Sequence, residues 1–436
     1  MNRKLAETVV GCLGLAADLP DPDGLRRFTA GDWQRTFRWL DRGGLTLYLL
    51  RRLHQLGATE LLPPAILARF ERNAAENRKR LDYIAGEFAS VNRSFYRTGV
   101  HFAVVKGFSL VPAFCPDAVL RAPADLDYLV DRESLPGAQR ALEEAGYRLQ
   151  RFSDTEFKFG RPSPRIPTPS DDPYSPATEP LVELHLAFFK GKANRVLLDE
   201  PEFRLDQTID HDWQGLRFPA LKEEDSFVLQ ILHVFQHILE YWVKLCWLIE
   251  IGYFARARCF DTQFWNRVDV RLRELPCLAE FAAVVMGLVE TVFAIPMPPI
   301  AAKWIERLRP PARLWVENYG RSWAIQDHPH DTLSLFSAAK LAFFLHREFV
   351  LDPKVRKQLT RQQLFPWKRP EQIAVAADNT AASFLTAGSL QGKFVLQRLI
   401  FHLGSDLRYL WELPRWRELH GPAVGISRGG VRKSCT

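Results

Sequence analysis

The amino-acid sequence predicts an α+β protein in which a small mixed β-sheet core is flanked by an N-terminal and a larger C-terminal helical region. Two observations carry this prediction. Before residue 100 and after about residue 220, apolar residues recur every three or four positions, the period of an amphipathic helix. In between, several short segments alternate with a period of two, which is typical of strands.

These changes of period divide the chain into four regions. We expect an N-terminal helical region over 1–99, the sheet core over 100–220, and a C-terminal helical domain over 221–420. The remaining residues, 421–436, include two adjacent glycines, Gly429-Gly430, and form a short basic segment. Chain ends of this composition are poorly ordered unless something holds them down, so the sequence predicts a flexible tail.

The composition is that of an ordinary globular protein, with 436 residues, 47% of them hydrophobic and 25% charged. Six cysteines are dispersed and form no CxxC pair, which argues against a zinc ribbon or a disulfide scaffold and predicts a reducing cytoplasm. The most apolar segment, Phe281–Ile295, contains Glu290 and stops at Pro296. It is too short and too polar to cross a bilayer, so no membrane partner is expected.

The formal net charge of +7 is modest for a chain of this length. It suits a nucleotide or another polyanionic partner. Lysines and arginines are scattered rather than gathered into a block with interleaved aromatic residues. We therefore do not expect RNA or DNA to be the main substrate.

The N-terminal region is predicted to be a series of helices. The longest ends at Gly99, a usual residue just past a helix C-terminus. The core then begins with a strand over His101–Val105, followed by a lysine-glycine turn and a short helix that ends near Pro116. The apolar face of the long N-terminal helix is carried at 3–4 spacing by Leu81, Ile84, Phe88, Val91 and Phe95.

Four further elements complete the predicted core. A strand over Asp125–Asp131 leads into a helix, and Tyr147–Phe152 with Glu156–Phe159 form a hairpin. A segment with seven prolines between Pro162 and Pro180 predicts an extended loop. Alternation resumes in the strand Leu181–Leu186.

The candidate site begins with two aspartates on the second core strand. In a strand, Asp125 and Asp127 point to the same face and Leu126 to the opposite one. Two carboxylates held side by side repel each other unless a cation lies between them, which predicts a metal site. Gly107, in the preceding turn, lets a phosphate approach the backbone.

The pattern of Lys106-Gly107, then Arg121, then Asp125–Val130 resembles the polymerase-beta-type nucleotidyltransferase superfamily. More narrowly, it is similar to a family of uncharacterised nucleotidyltransferases. The resemblance extends more loosely from about Trp33 to about Pro299. It implies a nucleoside triphosphate as substrate, Mg²⁺ or Mn²⁺ as cofactor, and a hydroxyl group as acceptor.

The resemblance also assigns roles to individual residues. Asp125 and Asp127 would hold the metals, and Glu183, on the strand Leu181–Leu186, would supply the third carboxylate. Gly107 and Ser109 would bind phosphate, although the usual superfamily turn is Gly-Ser or Gly-Gly. Positive charge for the triphosphate would come from Lys106 and Arg121.

The C-terminal helical region carries a polar stripe beside an apolar one. His233, His237, Glu240 and Lys244 follow one another at spacings of 4, 3 and 4. With His185, which shares a strand face with Glu183, the two stripe histidines are candidates for contact with the acceptor. A solvated side of the helix explains the stripe as well, and the sequence leaves both interpretations open.

Three functional hypotheses remain at this point. The first is a metal-dependent enzyme that moves a nucleoside monophosphate from a triphosphate to a small molecule or a protein side chain. The second is a catalytically silent protein that kept the fold for binding or regulation, with a protein partner on its helical flanks. The third and weakest is a polymerase or tRNA-modifying enzyme.

Overall fold

The computed structural model describes residues 1–15, 22–122, 125–162, 173–175, 179–189, 194–196, 202–327, 337–364 and 381–420. The predicted flexible tail, 421–436, lies outside the described residues, as does most of the proline-rich segment. No helix in the described part of the chain is long and apolar enough to cross a membrane.

Helices form both flanks, as the 3–4 spacing predicts. In chain order the α-helices are α1 (Arg3–Leu13), α2 (Ala30–Arg42), α3 (Thr46–Leu56), α4 (Pro64–Arg97), α5 (Leu135–Glu144), α6 (Glu223–Leu239), α7 (Leu245–Ala257), α8 (Thr262–Leu272), α9 (Leu278–Phe293), α10 (Pro299–Glu306), α11 (Pro310–Trp315), α12 (Arg321–Ala324), α13 (Ala342–Glu348), α14 (Pro353–Leu364) and α15 (Ala381–His420). Of the α-helices given above, α5 is the one that lies between strands of the sheet, and the predicted α+β class is confirmed.

The sheet is mixed and, within the described residues, has seven strands. They are β1 (Phe102–Val104), β2 (Asp125–Val130), β3 (Arg148–Phe152), β4 (Glu156–Gly160), β5 (Leu181–His185), β6 (Ile209–Trp213) and β7 (Leu216–Ala220). Their spatial order is β3-β4-β5-β2-β1-β7-β6. Strand β2 is parallel to β5 and antiparallel to β1, and β1 is parallel to β7.

One face of the sheet packs on the N-terminal helices. Tyr128 of β2 is fully buried there, edge-on to Phe95 of α4 at 5.2 Å between ring centroids. Phe88, two turns earlier on α4, meets Phe218 of β7 at 4.9 Å. These aromatic contacts turn the even-numbered residues of β2 towards α4, so the odd-numbered aspartates face the other way.

The opposite face of the sheet is closed only in part by the C-terminal helices. Ala103, Leu129 and Leu229 belong to a small second core between this face and α6. Helix α6 is held from behind by α9, because Phe235 stacks on Phe281 at 3.8 Å. A cleft remains between the carboxylate-bearing part of the sheet and α6.

The structure differs from the sequence prediction at two elements, one predicted as a longer helix and one missed. The helix expected after Gly107 is a single 3₁₀ turn, Gly107–Leu110. The hairpin β6–β7 was not predicted at all. Its signal was the pair Gln214-Gly215, where both residues have positive φ (51° and 82°), as the tightest hairpin turns require.

Candidate active site

Two adjacent parallel strands bring three ligand-type side chains together. Asp127 of β2 lies directly beside Glu183 of β5, and His185 follows two residues later on the same face. One ligand atom from each of the three lies within 4.8 Å of the others. All three side chains are buried, with 4–5% of each residue exposed.

Two lysines oppose the carboxylates of this cluster. Lys106, at the start of the turn that follows β1, donates from Nζ to Asp127 Oδ1 at 2.9 Å. Lys158 faces Glu183 across the β4–β5 pair and donates to its Oε1 at 2.5 Å. Each buried carboxylate therefore has a cationic partner, as buried charges require.

The surroundings of Asp127 and Glu183 shift the pKa values of these two acids in opposite directions. Burial alone would raise the pKa of Asp127, but the Lys106 ammonium and the hydrogen bond from His185 hold that pKa well below its usual range. Burial and the negative charges of Asp127 and Asp125 raise the pKa of Glu183 to about 7, although Lys158 opposes the rise. Burial lowers the pKa of His185, so the neutral ring donates from Nε2 to Asp127 Oδ1 at 2.9 Å.

Asp125 lies at the edge of the cluster rather than inside it. It is half-buried, lines the cleft together with Asp127, and has a raised pKa because of burial and the neighbouring Asp127 charge. Ligand atoms of Asp127, Glu183 and His185 make the closest group among the described residues. The structure therefore places His185, predicted on the acceptor side, against the carboxylates.

Arg121 and Glu250 support the lysine-glycine turn. Gly107 has φ +57°, a conformation that favours glycine, and a Cβ there would meet no atom within 4 Å. Arg121 donates to the Gly107 carbonyl oxygen at 3.3 Å, while its Nε lies 3.0 Å from Glu250 Oε1. Ser109, expected to bind phosphate, donates to the Lys106 carbonyl oxygen at 3.2 Å.

The carboxylates lie where two adjoining cavities meet. The first, about 370 Å³, is lined by the Gly107 turn, Arg121, Asp127 and the ends of α2 and α7. The second, about 440 Å³, lies over the β3–β4 hairpin and is lined by Lys158 and Glu183. Six residues line both cavities: Lys106, Asp125, His233, Trp242, Lys244 and Trp247.

Helix α6 presents polar groups without protein partners to this cleft. Gln230 is 6% exposed, yet its Nε2 has no hydrogen-bond partner, and neither has Nδ1 of His233 one turn later. Burial and the nearby Lys106 charge keep the pKa of His233 well below its usual range, so its ring is neutral. Because Gln230 and His233 also line the first cavity, these unpaired atoms are available to hydrogen-bond a ligand or water there.

The predicted polar stripe does not run along one helix. Helix α6 ends at Leu239 and α7 begins only at Leu245, so Glu240 and Lys244 lie in the connection. The fold nevertheless brings both to the second cavity with His233 and His237. A ring cluster around Trp247, with His233 at 4.4 Å and His237 at 4.7 Å, fixes the two histidines in place.

Sequence reasoning missed Lys158 and Gln230. A signal existed for Lys158, because Glu156 and Lys158 alternate on a predicted hairpin strand next to Glu183 in the sheet. Gln230 lies one turn before His233 on the same helix face and carried no motif of its own.

The carboxylates lie on adjacent strands, with two lysines opposite them and a glycine turn nearby. Such an arrangement can hold nucleotide phosphates and their accompanying cation. This arrangement is consistent with the nucleotidyltransferase class. A family model described as uncharacterised nucleotidyltransferase matches residues 29–294, more than half of the chain, and the protein belongs to that family. No curated protein and no solved structure matches the chain significantly.

Proposed function

We propose that the protein is a metal-dependent nucleotidyltransferase that moves a nucleoside monophosphate from a nucleoside triphosphate to a hydroxyl acceptor and releases pyrophosphate. The observation that carries the proposal is the buried group of Asp127, Glu183 and His185 in a cleft shared by two cavities. Family membership supports the same reaction class. We also retain the cytoplasmic location that the dispersed cysteines predict.

The residues present fit a divalent cation. Asp127 and Glu183 offer carboxylate oxygens, which suit Mg²⁺ or Mn²⁺, and His185 would add a ring nitrogen once that nitrogen no longer donates to Asp127. Asp125, which lines both cavities, would complete the set from the cleft side. When bound, the cation neutralises charge on phosphate oxygens and favours ionisation of an acceptor hydroxyl.

The first cavity suits the triphosphate. Its wall contains the Gly107 backbone, left open by the missing side chain, together with Lys106 and Arg121. Lys106 would exchange its contact with Asp127 for a phosphate oxygen, since a lysine head on a flexible stem can change partners. Arg121 is held by Glu250, so its main role would be to fix the turn.

The second cavity suits the acceptor. Glu183, with a pKa of about 7, is poised to take the hydroxyl proton near neutral pH. The acceptor oxygen would then bond to the α-phosphorus as the bond to the pyrophosphate oxygen breaks. His233, neutral and unpaired at Nδ1, lies at the junction and would hydrogen-bond the acceptor or the phosphate.

The proposal is tested with purified protein, Mg²⁺ and each of the four nucleoside triphosphates labelled at the α-phosphate. Candidate acceptors are a sugar library and the protein itself. We expect Mg²⁺-dependent transfer of label that is lost in the Asp125→Ala, Asp127→Ala double variant. Asp210→Asn, an exposed strand aspartate of β6, is the matched control and should retain transfer. Equal labelling by the double variant would refute the proposal.

One observation favours a second candidate, a silent binding or regulatory protein. Lys106 already pairs with Asp127 and Lys158 with Glu183, so the protein itself offsets part of the negative charge of the site. Calorimetry separates the two functions. Tight Mg²⁺-dependent nucleotide binding with no labelled product from any acceptor supports the silent protein, whereas binding followed by pyrophosphate release supports the enzyme.

A further inference from the structure

The last helix, α15, has apolar residues on two opposite faces. One face packs on its own chain: Phe401, Tyr409 and Trp416 are buried, and Tyr409 stacks on Phe344 of α13 at 4.6 Å. The other face is exposed and also apolar. It carries five leucines, each 48–62% exposed: Leu396, Leu399, Leu403, Leu407 and Leu410.

These five residues form one stripe, which we call the leucine stripe. At 100° per residue they fall within an arc of about 80° on the helix surface and span roughly 20 Å. Their mean spacing of about 3.5 residues is the repeat by which two helices stay in contact along their length. A single exposed leucine needs no explanation, whereas a row without an intervening charge indicates an interaction surface.

The spacing of the stripe indicates what binds it. The intervals are 3, 4, 4 and 3, so the pattern is the same in both chain directions about Leu403. An antiparallel copy of the same helix, related by a two-fold axis at Leu403, places leucine opposite leucine along the whole stripe. Self-complementarity of this kind is the requirement for a symmetric dimer interface.

The area of the stripe is close to what such a dimer needs. The leucines expose on the order of 450 Å² per copy, or about 900 Å² for two copies, and flanking side chains must supply the remainder of the ~1,000 Å² at which specific interfaces begin. The C-terminal residues of the same chain are poorly suited to cover the leucine stripe in place of a second copy. Between 421 and 436 the larger aliphatic residues are Val424, Ile426 and Val431, at spacings that do not match the stripe.

We propose that the protein forms a two-fold symmetric homodimer through antiparallel packing of the leucine stripes of two α15 helices. The pairing would be Leu396 with Leu410 of the second copy, Leu399 with Leu407, and Leu403 with itself. This inference does not depend on the proposed enzyme activity.

The primary test is sedimentation equilibrium of the full chain. The wild type should sediment at twice 50.1 kDa at about 10 μM. Leu403→Glu with Leu407→Glu places four carboxylates at the axis and should weaken association at least 100-fold, giving a monomer. Val270→Glu, which changes a 66% exposed valine on α8 in the same way, is the matched control and should remain dimeric.

Cysteine cross-linking tests the direction of packing with variants that keep the stripe apolar. Leu403→Cys should cross-link to itself. Leu396→Cys should cross-link when mixed with Leu410→Cys but not alone. A monomeric wild type at this concentration, a glutamate variant that remains dimeric, or self-cross-linking of Leu396→Cys would each overturn the proposal. A monomer in which the glutamates lower the Tm would also overturn it, because another part of the chain then covers the stripe.

Discussion

Replacing Glu183 by glutamine should stabilise the metal-free protein, and mainly at high pH. Glu183 lies beside Asp127 in a buried cluster, and burial with the neighbouring acids raises its pKa from 4.5 to about 7. The folded state therefore holds this proton more tightly than the unfolded state. The stabilisation from protonated Glu183 is complete below about pH 4.5, the pKa in the unfolded state. It is lost as the pH rises through about 7, the pKa in the folded state.

The size of the effect follows from the pKa difference. Each unit is about 1.4 kcal/mol, so ionised Glu183 costs as much as about 3 kcal/mol above pH 8. Glutamine has nearly the same shape, accepts the hydrogen bond from Lys158, and carries no charge. For a chain of 436 residues, 3 kcal/mol corresponds to a Tm difference of about 3 °C.

The assay is thermal unfolding in EDTA at pH 5 and at pH 8. At pH 5 the Glu183→Gln variant should melt only about 1 °C or less above the wild type, because folded Glu183 is protonated and only the unfolded chain has begun to lose the proton. At pH 8 the variant should melt higher, and Mg²⁺ should raise the Tm of the wild type alone. Glu133→Gln, at an exposed position, controls for the substitution itself. A variant that melts lower at pH 8, or by an equal offset at both pH values, would refute the reasoning.

Three further predictions concern the surroundings of the cluster. Glu250→Ala leaves the Arg121 guanidinium buried without its carboxylate and should lower the free energy of unfolding in urea by about 3–5 kcal/mol. An unchanged urea midpoint would contradict the ion-pair argument. Gly107→Ala should cost about 1–2 kcal/mol because of its positive φ. It should also reduce the Tm gain on adding nucleoside triphosphate, and a full gain would exclude Gly107 from phosphate binding. Gln230→Leu removes a buried amide whose Nε2 is unpaired, so the Tm of the metal-free protein should stay the same or rise, while the KM for substrate should increase. A lower Tm with an unchanged KM would show that the amide has a structural role.

The fold class followed from periodicity because periodicity is a local property. Residues 81–95 had to be helical and 125–130 had to be a strand, since their apolar positions repeat at the periods of those structures. The hairpin over Arg148–Gly160 was predicted for the same reason. The β6–β7 hairpin was missed because a positive-φ pair must be read from turn chemistry rather than from hydrophobic period.

Strand alternation by itself determined that Asp125 shares a face with Asp127, and Glu183 with His185, because neighbouring residues of a strand point to opposite sides. Tertiary structure alone decided which of these groups meet. The parallel β2–β5 register pairs Asp127 with Glu183 across a long proline-rich separation, and it brings His185 into contact with Asp127 while His185 still lines the second cavity. The strand register, the pairing of Lys158 with Glu183, and the position of α6 over the cleft depend on packing between segments distant in sequence, which hydrophobic periodicity does not report.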